Sequence, residues 1–280
     1  MKNGILLLAF VWASPAATIL AQTPGAPIKD NSFLIEEAYN QEKGVFQNIL
    51  LMQIDKSEVA DGGSYSLKGS FTQEWPIGGN RHQLSYTLPY WINGPIQWLD
   101  NILLNYRYQL QFKNVFLAPR ISFLFPTALR SGEGFKGLQL FLPASIEAGT
   151  LWTIHLNAGY SISESTATDP VDRAAYQIVT GGASLIYNLS HRFNLMFETL
   201  LICENKDPEV NSESLPDTKK LLSILNPGFR WASNFKNEAQ LVLGLSTPYS
   251  ITHSDLNEEN QTRFSVLLYV SYEAFFKKQK

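Results

Sequence analysis

A strict alternation of apolar and polar side chains constrains this chain more than any other feature. In the run 101–113, one face carries Ile102, Leu104, Tyr106, Tyr108, Leu110 and Phe112, and the other carries Asn101, Asn105, Arg107, Gln109, Gln111 and Lys113. A period of two places successive side chains on opposite faces of a β-strand. The runs 64–75, 151–163 and 263–273 alternate in the same way. Each run therefore predicts a long strand with one apolar and one polar face.

Weaker copies of the pattern bring the predicted number of strands to twelve. They span residues 45–54, 64–77, 82–92, 101–113, 115–125, 137–147, 151–163, 174–189, 192–203, 220–232, 238–249 and 263–276. Short connections at 78–81, 113–115, 148–150, 190–191 and 233–237 alternate with long ones at 55–63, 93–100, 126–136, 164–173, 204–219 and 250–262. An even strand number, with short turns at one end and long loops at the other, is typical of bacterial outer-membrane barrels.

Composition agrees with a membrane barrel but does not decide the fold class. Mean hydropathy is only -0.10 although 12% of the residues are aromatic. Beyond the N-terminus, no stretch reaches the roughly 18 uninterrupted apolar residues of a membrane-spanning helix. A soluble β-sandwich remains the alternative, but strands longer than about six residues are unusual in soluble sheets. The sequence therefore predicts an all-β fold, a single antiparallel transmembrane β-barrel of about twelve strands.

The N-terminal residues have the layout of a secretory signal peptide. Lys2 precedes an apolar stretch from Ile5 to Ala13, and small residues follow up to Ala21. This order predicts a signal peptide at 1–21, and a transmembrane anchor is the less favoured alternative. We expect a periplasmic or plug segment at 22–43 and the barrel at 44–280, in the outer membrane. Cys203 is the one cysteine, so no disulfide forms within the chain.

In a barrel, the polar face of each strand lines the lumen. The predicted candidates for the lumen and solute path are Lys68, Glu74, Arg107, Arg120, Glu147, His155 and Glu198. Arg107 and Arg120 lie on neighbouring strands at similar levels, so two guanidinium groups share one patch that needs carboxylates or a ligand to balance it. The alternative is that these charges pair across the lumen and stiffen the wall.

The sequence does not predict an enzyme. Nucleophilic catalysis by serine needs a histidine base oriented by a third group, and the four histidines have no such partner in view. The chain contains neither a Gly-x-Ser-x-Gly elbow nor a His-Glu-x-x-His metal motif. A net charge of -3 does not indicate a nucleic-acid partner. We therefore expect no catalytic residue, no metal, no cofactor and no nucleic acid.

The stretch before the first strand is acidic but also contains apolar side chains. The candidate plug residues are Glu36, Glu37, Tyr39, Asn40, Gln41 and Glu42. Ser32 as N-cap, with two acids in the first turn, predicts one or two helical turns that need a surface to fold on. The hypothesis is that this stretch docks at or inside the periplasmic mouth and that Glu36 or Glu37 pairs with Arg107, Arg120 or Arg230. A periplasmic leader without a docking site is the alternative.

The stretch from Asn31 to Glu42, "NSFLIEEAYNQE", resembles the start of an outer-membrane β-barrel family named for the MetA pathway of phenol degradation, whose members are often called simply transporters. Gln240 to Ser250 is similar to the penultimate strand of that family. The resemblance implies a channel for small solutes, aromatic or hydrophobic ones among them. Expected partners are outer-membrane lipid, lipopolysaccharide, a small solute and the barrel-assembly machinery. A non-conducting barrel with a binding or structural role at the cell surface is the alternative.

Overall fold

The alternating runs of the sequence pair into one closed ring of strands. The computed structural model describes residues 28, 30–56, 65–93, 96–99, 101–127, 135–165, 174–208, 218–235, 239–255 and 257–275. The predicted signal peptide at 1–21 and much of the predicted long loops lie outside these residues. The described part of the chain contains no helix that is long and apolar enough to cross a membrane.

The strand segments are β1 Val45–Lys56, β2 Tyr65–Pro76, β3 His82–Asn93, β4 Ile96–Leu99, β5 Ile102–Tyr108, β6 Leu110–Phe112, β7 Val115–Leu117, β8 Arg120–Phe125, β9 Phe135–Ala148, β10 Trp152–Ser165, β11 Ala174–Ser190, β12 Phe193–Pro208, β13 Thr218–Asn234, β14 Gln240–Ser246, β15 Tyr249–Ser254 and β16 Asn257–Phe275. All pairs are antiparallel, and β1 closes the ring by pairing with both β2 and β16. β4 to β6 form one barrel strand, as do β7 with β8 and β14 with β15. The predicted twelve-stranded antiparallel barrel is confirmed.

Three predicted strands are interrupted, which the alternation did not predict. The breaks fall at Gln109, at Ala118 and Pro119, and at Thr247 and Pro248. Two breaks contain a proline, which has no N–H to donate to the ladder. The neighbouring backbone remains paired, since Ala118 N donates to Pro143 O at 3.0 Å and Thr247 N donates to Pro227 O at 3.1 Å.

Several hairpins extend further than predicted. The predicted loop 93–100 contains β4, which pairs with β3. β12 continues to Pro208 rather than residue 203, and β16 begins at Asn257 rather than residue 263. The expected loop bounds were wrong here because an antiparallel ladder needs only backbone hydrogen bonds and continues beyond the apolar band that marks the membrane.

The two faces of the wall differ as the alternation predicts. On β10, Leu156 is 44% exposed on the outer face, whereas the adjacent His155 is completely buried on the inner face. The large exposed apolar side chains include Leu104, Phe123, Leu140, Leu201, Leu225 and Val266, from different strands. An apolar exterior around a closed ring suits hydrocarbon, because closing the sheet pairs the first barrel strand of the described residues with the last.

Candidate functional site

The residues before β1 lie inside the ring. We call residues 30–43 the lumen segment. Phe33, Ile35 and Ala38 are buried among side chains of the inner wall. The predicted helical turns are wrong, because residues 30–43 consist of bends, a turn and irregular backbone. The wall supplies hydrogen bonds that a helix would otherwise have made within itself.

Glu198 on β12 holds the start of the lumen segment. Its carboxylate accepts backbone N–H groups from Phe33 at 3.1 Å, from Leu34 at 3.2 Å and from Ile35 at 3.4 Å. Asn226 on β13 donates to the same carboxylate at 2.6 Å. Three successive amides around one anion satisfy donors that would be costly to bury unpaired.

Further polar side chains of the wall bind the rest of the segment's backbone. The Glu36 amide donates to Asn157 at 2.7 Å, and the Ala38 amide donates to Ser145 at 2.8 Å. The Gln41 amide donates to Gln83 at 2.7 Å, and the Asn40 amide donates to Gln109. The lumen segment is therefore bound by wall side chains from β3 to β12. The alternation predicted that these residues lie on the inner face, but it did not predict that they all bind the lumen segment.

Two arginines of the wall share the carboxylate of Glu36. Arg107 and Arg120 are direct cross-strand partners on β5 and β8. The Arg107 guanidinium lies 3.0 Å and the Arg120 guanidinium 3.2 Å from Glu36. Arg107 also donates to Asn40 Oδ1 at 2.8 Å and lies 3.8 Å from Glu74. The patch thus contains two cations and two carboxylates.

A third arginine, Arg230 on β13, lies completely buried against the segment. It donates to the Glu37 carboxylate at 3.0 Å, to the Asn31 carbonyl at 3.0 Å and to the Asp30 carbonyl. Asp30 accepts the Tyr269 hydroxyl at 2.6 Å and a hydrogen bond from Gln47. Burial outweighs these favourable contacts, so the pKa of Glu37 is raised to about 7 and the pKa of Asp30 to about 6.

The remaining plug candidates anchor the end of the segment. Tyr39 packs edge-on against Phe116 at 4.9 Å between ring centroids, and burial raises its pKa. The Gln41 side chain donates to Gln47. The carbonyl of Glu42 accepts the Val45 amide at 3.0 Å, and its side chain is exposed at the turn into β1. Glu42 therefore differs from the other candidates, which contact the wall.

The other predicted lumen residues lie at different levels of the barrel. Lys68 pairs with the buried Asp55 at 2.8 Å at the long-loop end. Glu147 accepts the Tyr39 hydroxyl at 3.5 Å near the short-turn end, and Glu74 accepts from Gln83 at 2.7 Å. The structure brings Glu74, Arg107, Arg120, Glu147, His155 and Glu198 around the lumen segment but leaves Lys68 outside this group.

A Ser–His–Glu row forms where the segment crosses β9 and β10. Ser145 Oγ lies 2.7 Å from His155 Nδ1, and His155 Nε2 lies 3.5 Å from the Glu37 carboxylate. The three residue types, serine, histidine and glutamate, match those of a hydrolytic triad. However, Ser145 and His155 are fully buried, and the hydroxyl already accepts the Ala38 amide, so no acyl substrate reaches it while the segment is docked. The row therefore fits docking better than catalysis.

Wall glycines form sockets for two apolar side chains of the segment. A Cβ at Gly182 would lie 2.5 Å from Ile35 Cδ1, and a Cβ at Gly228 would lie 2.7 Å from the Phe33 ring. A Cβ at Gly244 would collide with the same ring. The missing side chains let Phe33 and Ile35 pack directly onto the wall backbone.

The segment does not fill the whole lumen. A cavity of about 170 Å³ remains between Asn31–Glu36 and the wall of β1, β2, β3, β5, β8 and β16. Leu34, Ile49, Leu51 and Tyr269 give one apolar side, whereas Ser70, Thr72, Ser85, Thr87 and Asn105 give a polar side. Sequence alternation did not predict the inward apolar residues Ile49 and Leu51.

The fold and its occupied lumen define an outer-membrane β-barrel with an internal N-terminal segment. Among solved structures, the chain is similar to the COG4313 outer membrane channel from Pseudomonas putida F1, at 14% identity and a TM-score of 0.58, covering 85% of this chain and 98% of that one. It also matches the NanC porin at 11% identity and a TM-score of 0.46, covering 81% and 98% of the two chains. The fold is that of bacterial outer-membrane barrels, as the sequence predicts.

Sequence comparisons add no family. No protein-family model matches the chain, and no curated protein matches it. Within the described residues, no group of three or more His, Cys, Asp and Glu side chains is arranged to hold a metal ion.

Proposed function

We propose that this protein is an outer-membrane channel for small solutes, aromatic or hydrophobic ones among them, and that its lumen segment narrows the passage. The observation that carries the proposal is the cavity of about 170 Å³ beside the segment, with an apolar and a polar side. An engineered cavity of about 150 Å³ holds benzene, so the space is of single-ring size. The similar Pseudomonas putida F1 protein is described as a channel, which supports the same role.

The segment's contacts support a plug that the wall holds by side chains. Its backbone binds Glu198, Asn157 and Ser145, and its acids bind Arg107, Arg120 and Arg230. On the wall side, each of these contacts uses a side chain and none of the backbone hydrogen bonds that pair the strands. Undocking of the segment would therefore leave the backbone pairs of the barrel intact.

The proposal includes the domain plan and the surroundings of the barrel. A signal peptide at 1–21 directs export, the plug segment occupies 22–43, and the barrel occupies 44–280. Lipid and lipopolysaccharide surround the apolar exterior, and the barrel-assembly machinery inserts the chain. The resemblance to the family named for phenol degradation supports aromatic solutes.

Planar-bilayer recording of the purified protein tests the proposal. We expect a small conductance for the intact chain and a larger one when residues 30–43 are replaced by a Gly/Ser linker of equal length. Heat-modifiable migration in a gel checks that both proteins are folded. Unchanged conductance in the folded replacement would contradict the plug. Absence of conductance in both proteins would favour a non-conducting barrel with a binding or structural role at the surface.

A further inference from the structure

The polar side of the cavity is built so that its hydrogen-bond directions are fixed. Arg120 donates to Asn105 Oδ1 at 3.0 Å. The carboxamide oxygen of Asn105 is therefore occupied, and its NH₂ group faces the opposite way. That NH₂ group donates to Ser85 Oγ at 3.1 Å and to Thr87 Oγ1 at 3.4 Å. Arg120 thus acts as a positioning residue for the amide.

The oriented amide in turn sets the direction of the hydroxyl groups. Ser85 and Thr87 accept from Asn105, so their own hydrogens are left to donate. Thr72 and Thr87 lie 2.9 Å apart and use one of their two hydroxyl hydrogens on each other. Ser85 and one hydroxyl of the threonine pair therefore present O–H donors at the cavity, whose lining also includes Ser70.

The charges around the cavity are already balanced. Arg107 and Arg120 share Glu36, and Arg107 lies 3.8 Å from Glu74. A charged ligand would bring an additional charge into this cavity without a partner, which is unfavourable. A neutral ligand that accepts hydrogen bonds meets no such cost and uses the donors that remain.

We propose that the cavity binds neutral carbonyl compounds of single-ring size, with the carbonyl oxygen on the hydroxyls of Ser85, Thr72 and Thr87 and the apolar body on Leu34, Ile49 and Leu51. The inference rests on the proposed channel function and names the solute class for it. Ketones, aldehydes and esters carry a carbonyl oxygen, which accepts hydrogen bonds from these hydroxyl groups. An alcohol of the same shape also offers an acceptor, but its own hydrogen competes with Asn105 for the lone pairs of the Ser85 and Thr87 hydroxyls.

Calorimetric titration of the detergent-solubilised full barrel tests the site with two matched ligands, acetophenone and 1-phenylethanol. They differ in whether the oxygen only accepts or also donates. We expect acetophenone to bind about fivefold more tightly, because the alcohol hydrogen of 1-phenylethanol competes with hydrogen bonds already made within the wall, at a cost on the order of one hydrogen bond. We expect benzoate and benzylammonium to bind more weakly than acetophenone. Equal or tighter binding of 1-phenylethanol, or no binding of acetophenone, would overturn the proposal.

Asn105→Asp gives the sharpest variant. A carboxylate at this position still accepts from Arg120, but it also accepts from the serine and threonine hydroxyls and consumes their hydrogens. The ratio of acetophenone to 1-phenylethanol affinity should fall to one or below. Asn114→Asp, in an exposed turn, is the matched control and should keep the ratio. An unchanged ratio in Asn105→Asp would refute the oriented-donor mechanism.

A second variant covers the case in which Asn105→Asp does not fold. Ser85→Ala with Thr72→Val and Thr87→Val removes the three proposed donors without adding a charge, and acetophenone should then bind no more tightly than 1-phenylethanol. The conductance experiment tests the channel function independently of the calorimetric titration, which tests the binding site. A conducting barrel without ketone preference would refute only the site, and a ketone-binding barrel that never conducts would refute only the channel.

Discussion

The side chain of Asn157 makes both backbone hydrogen bonds of Glu36. Its Oδ1 accepts the Glu36 amide at 2.7 Å, and its Nδ2 donates to the Glu36 carbonyl at 2.8 Å. A carboxamide can replace a strand partner in this way because it carries a donor and an acceptor side by side. One wall residue thereby fixes the part of the lumen segment that presents its carboxylate to Arg107 and Arg120.

Asn157→Leu should loosen the lumen segment. It keeps a similar volume but loses two hydrogen bonds, each of which contributes on the order of 1 kcal/mol. We expect the undocked fraction to rise by roughly tenfold or more, with larger or more frequent conductance steps in planar bilayers. Asn48→Leu, on the opposite face of the wall from the lumen residues Gln47 and Ile49, is the control. Identical recordings for both variants would show that this contact does not hold the segment.

Gly244→Ala should displace Phe33 from its socket. The new Cβ collides first with the Phe33 ring, so the methyl group acts on the segment before it acts on the wall. We expect increased conductance, and the second substitution Phe33→Leu should restore the wild-type level by making room. Gly181→Ala is the matched control, because nothing lies within 4 Å of its added Cβ. If Phe33→Leu did not restore the wild-type conductance, the effect of Gly244→Ala would come from a change in the barrel wall and not from displacement of Phe33.

Conductance should rise with pH. The pKa values of Asp30, about 6, and Glu37, about 7, lie above their ordinary values of 3.8 and 4.5. The docked segment therefore binds more protons than the undocked one, and docking weakens as pH rises from about 4 through 7. Arg230 and His155 face Glu37, and Arg230 and Tyr269 face Asp30.

Recordings between pH 5 and pH 8 check this direction. Glu37→Gln removes one titrating group and should flatten the response, whereas Glu164→Gln, an exposed residue at the long-loop end of β10, should leave it unchanged. The Glu37 carboxylate also raises the pKa of Asp30, which adds to the expected rise of conductance with pH. A conductance that falls as pH rises would contradict the view that docking favours the protonated forms of Asp30 and Glu37.

Leu156→Arg should destabilise the barrel by roughly 2–4 kcal/mol, the cost of a charge on the lipid face near the midplane. Thr153→Arg, on the inner face of the same strand and opposite Glu147, should cost much less. Position 157 is unsuitable as the control, because Asn157 holds the lumen segment. Guanidinium unfolding of the lipid-inserted proteins measures the difference. Equal costs at both positions would mean that the register of the wall is wrong.

The sequence predicts the wall better than its contents. Alternation alone places His155 and Glu198 inside and Leu156 outside, because every residue of a strand obeys the same period. The conformation of the lumen segment depends on Glu198, more than 160 positions after Leu34, and no local pattern encodes that contact. Local propensity predicts helical turns after Ser32, and the wall's hydrogen bonds override it. The breaks at Pro119 and Pro248 coincide with prolines, which cannot donate to a ladder. Pro89, Pro143 and Pro227 lie inside unbroken strands, so proline alone does not locate the breaks.

The pairing of β1 with β16, from Val45 opposite Phe275 to Asp55 opposite Ser265, joins the first and last strands of the chain. The ring thus cannot close until the last strand has been synthesised. The lumen segment directly precedes β1, and its Asp30 bonds to Tyr269 on β16. Closing the seam and enclosing the segment are therefore coupled events in assembly. A chain that lost its last strand would leave the segment without its enclosure and the first strand without its partner.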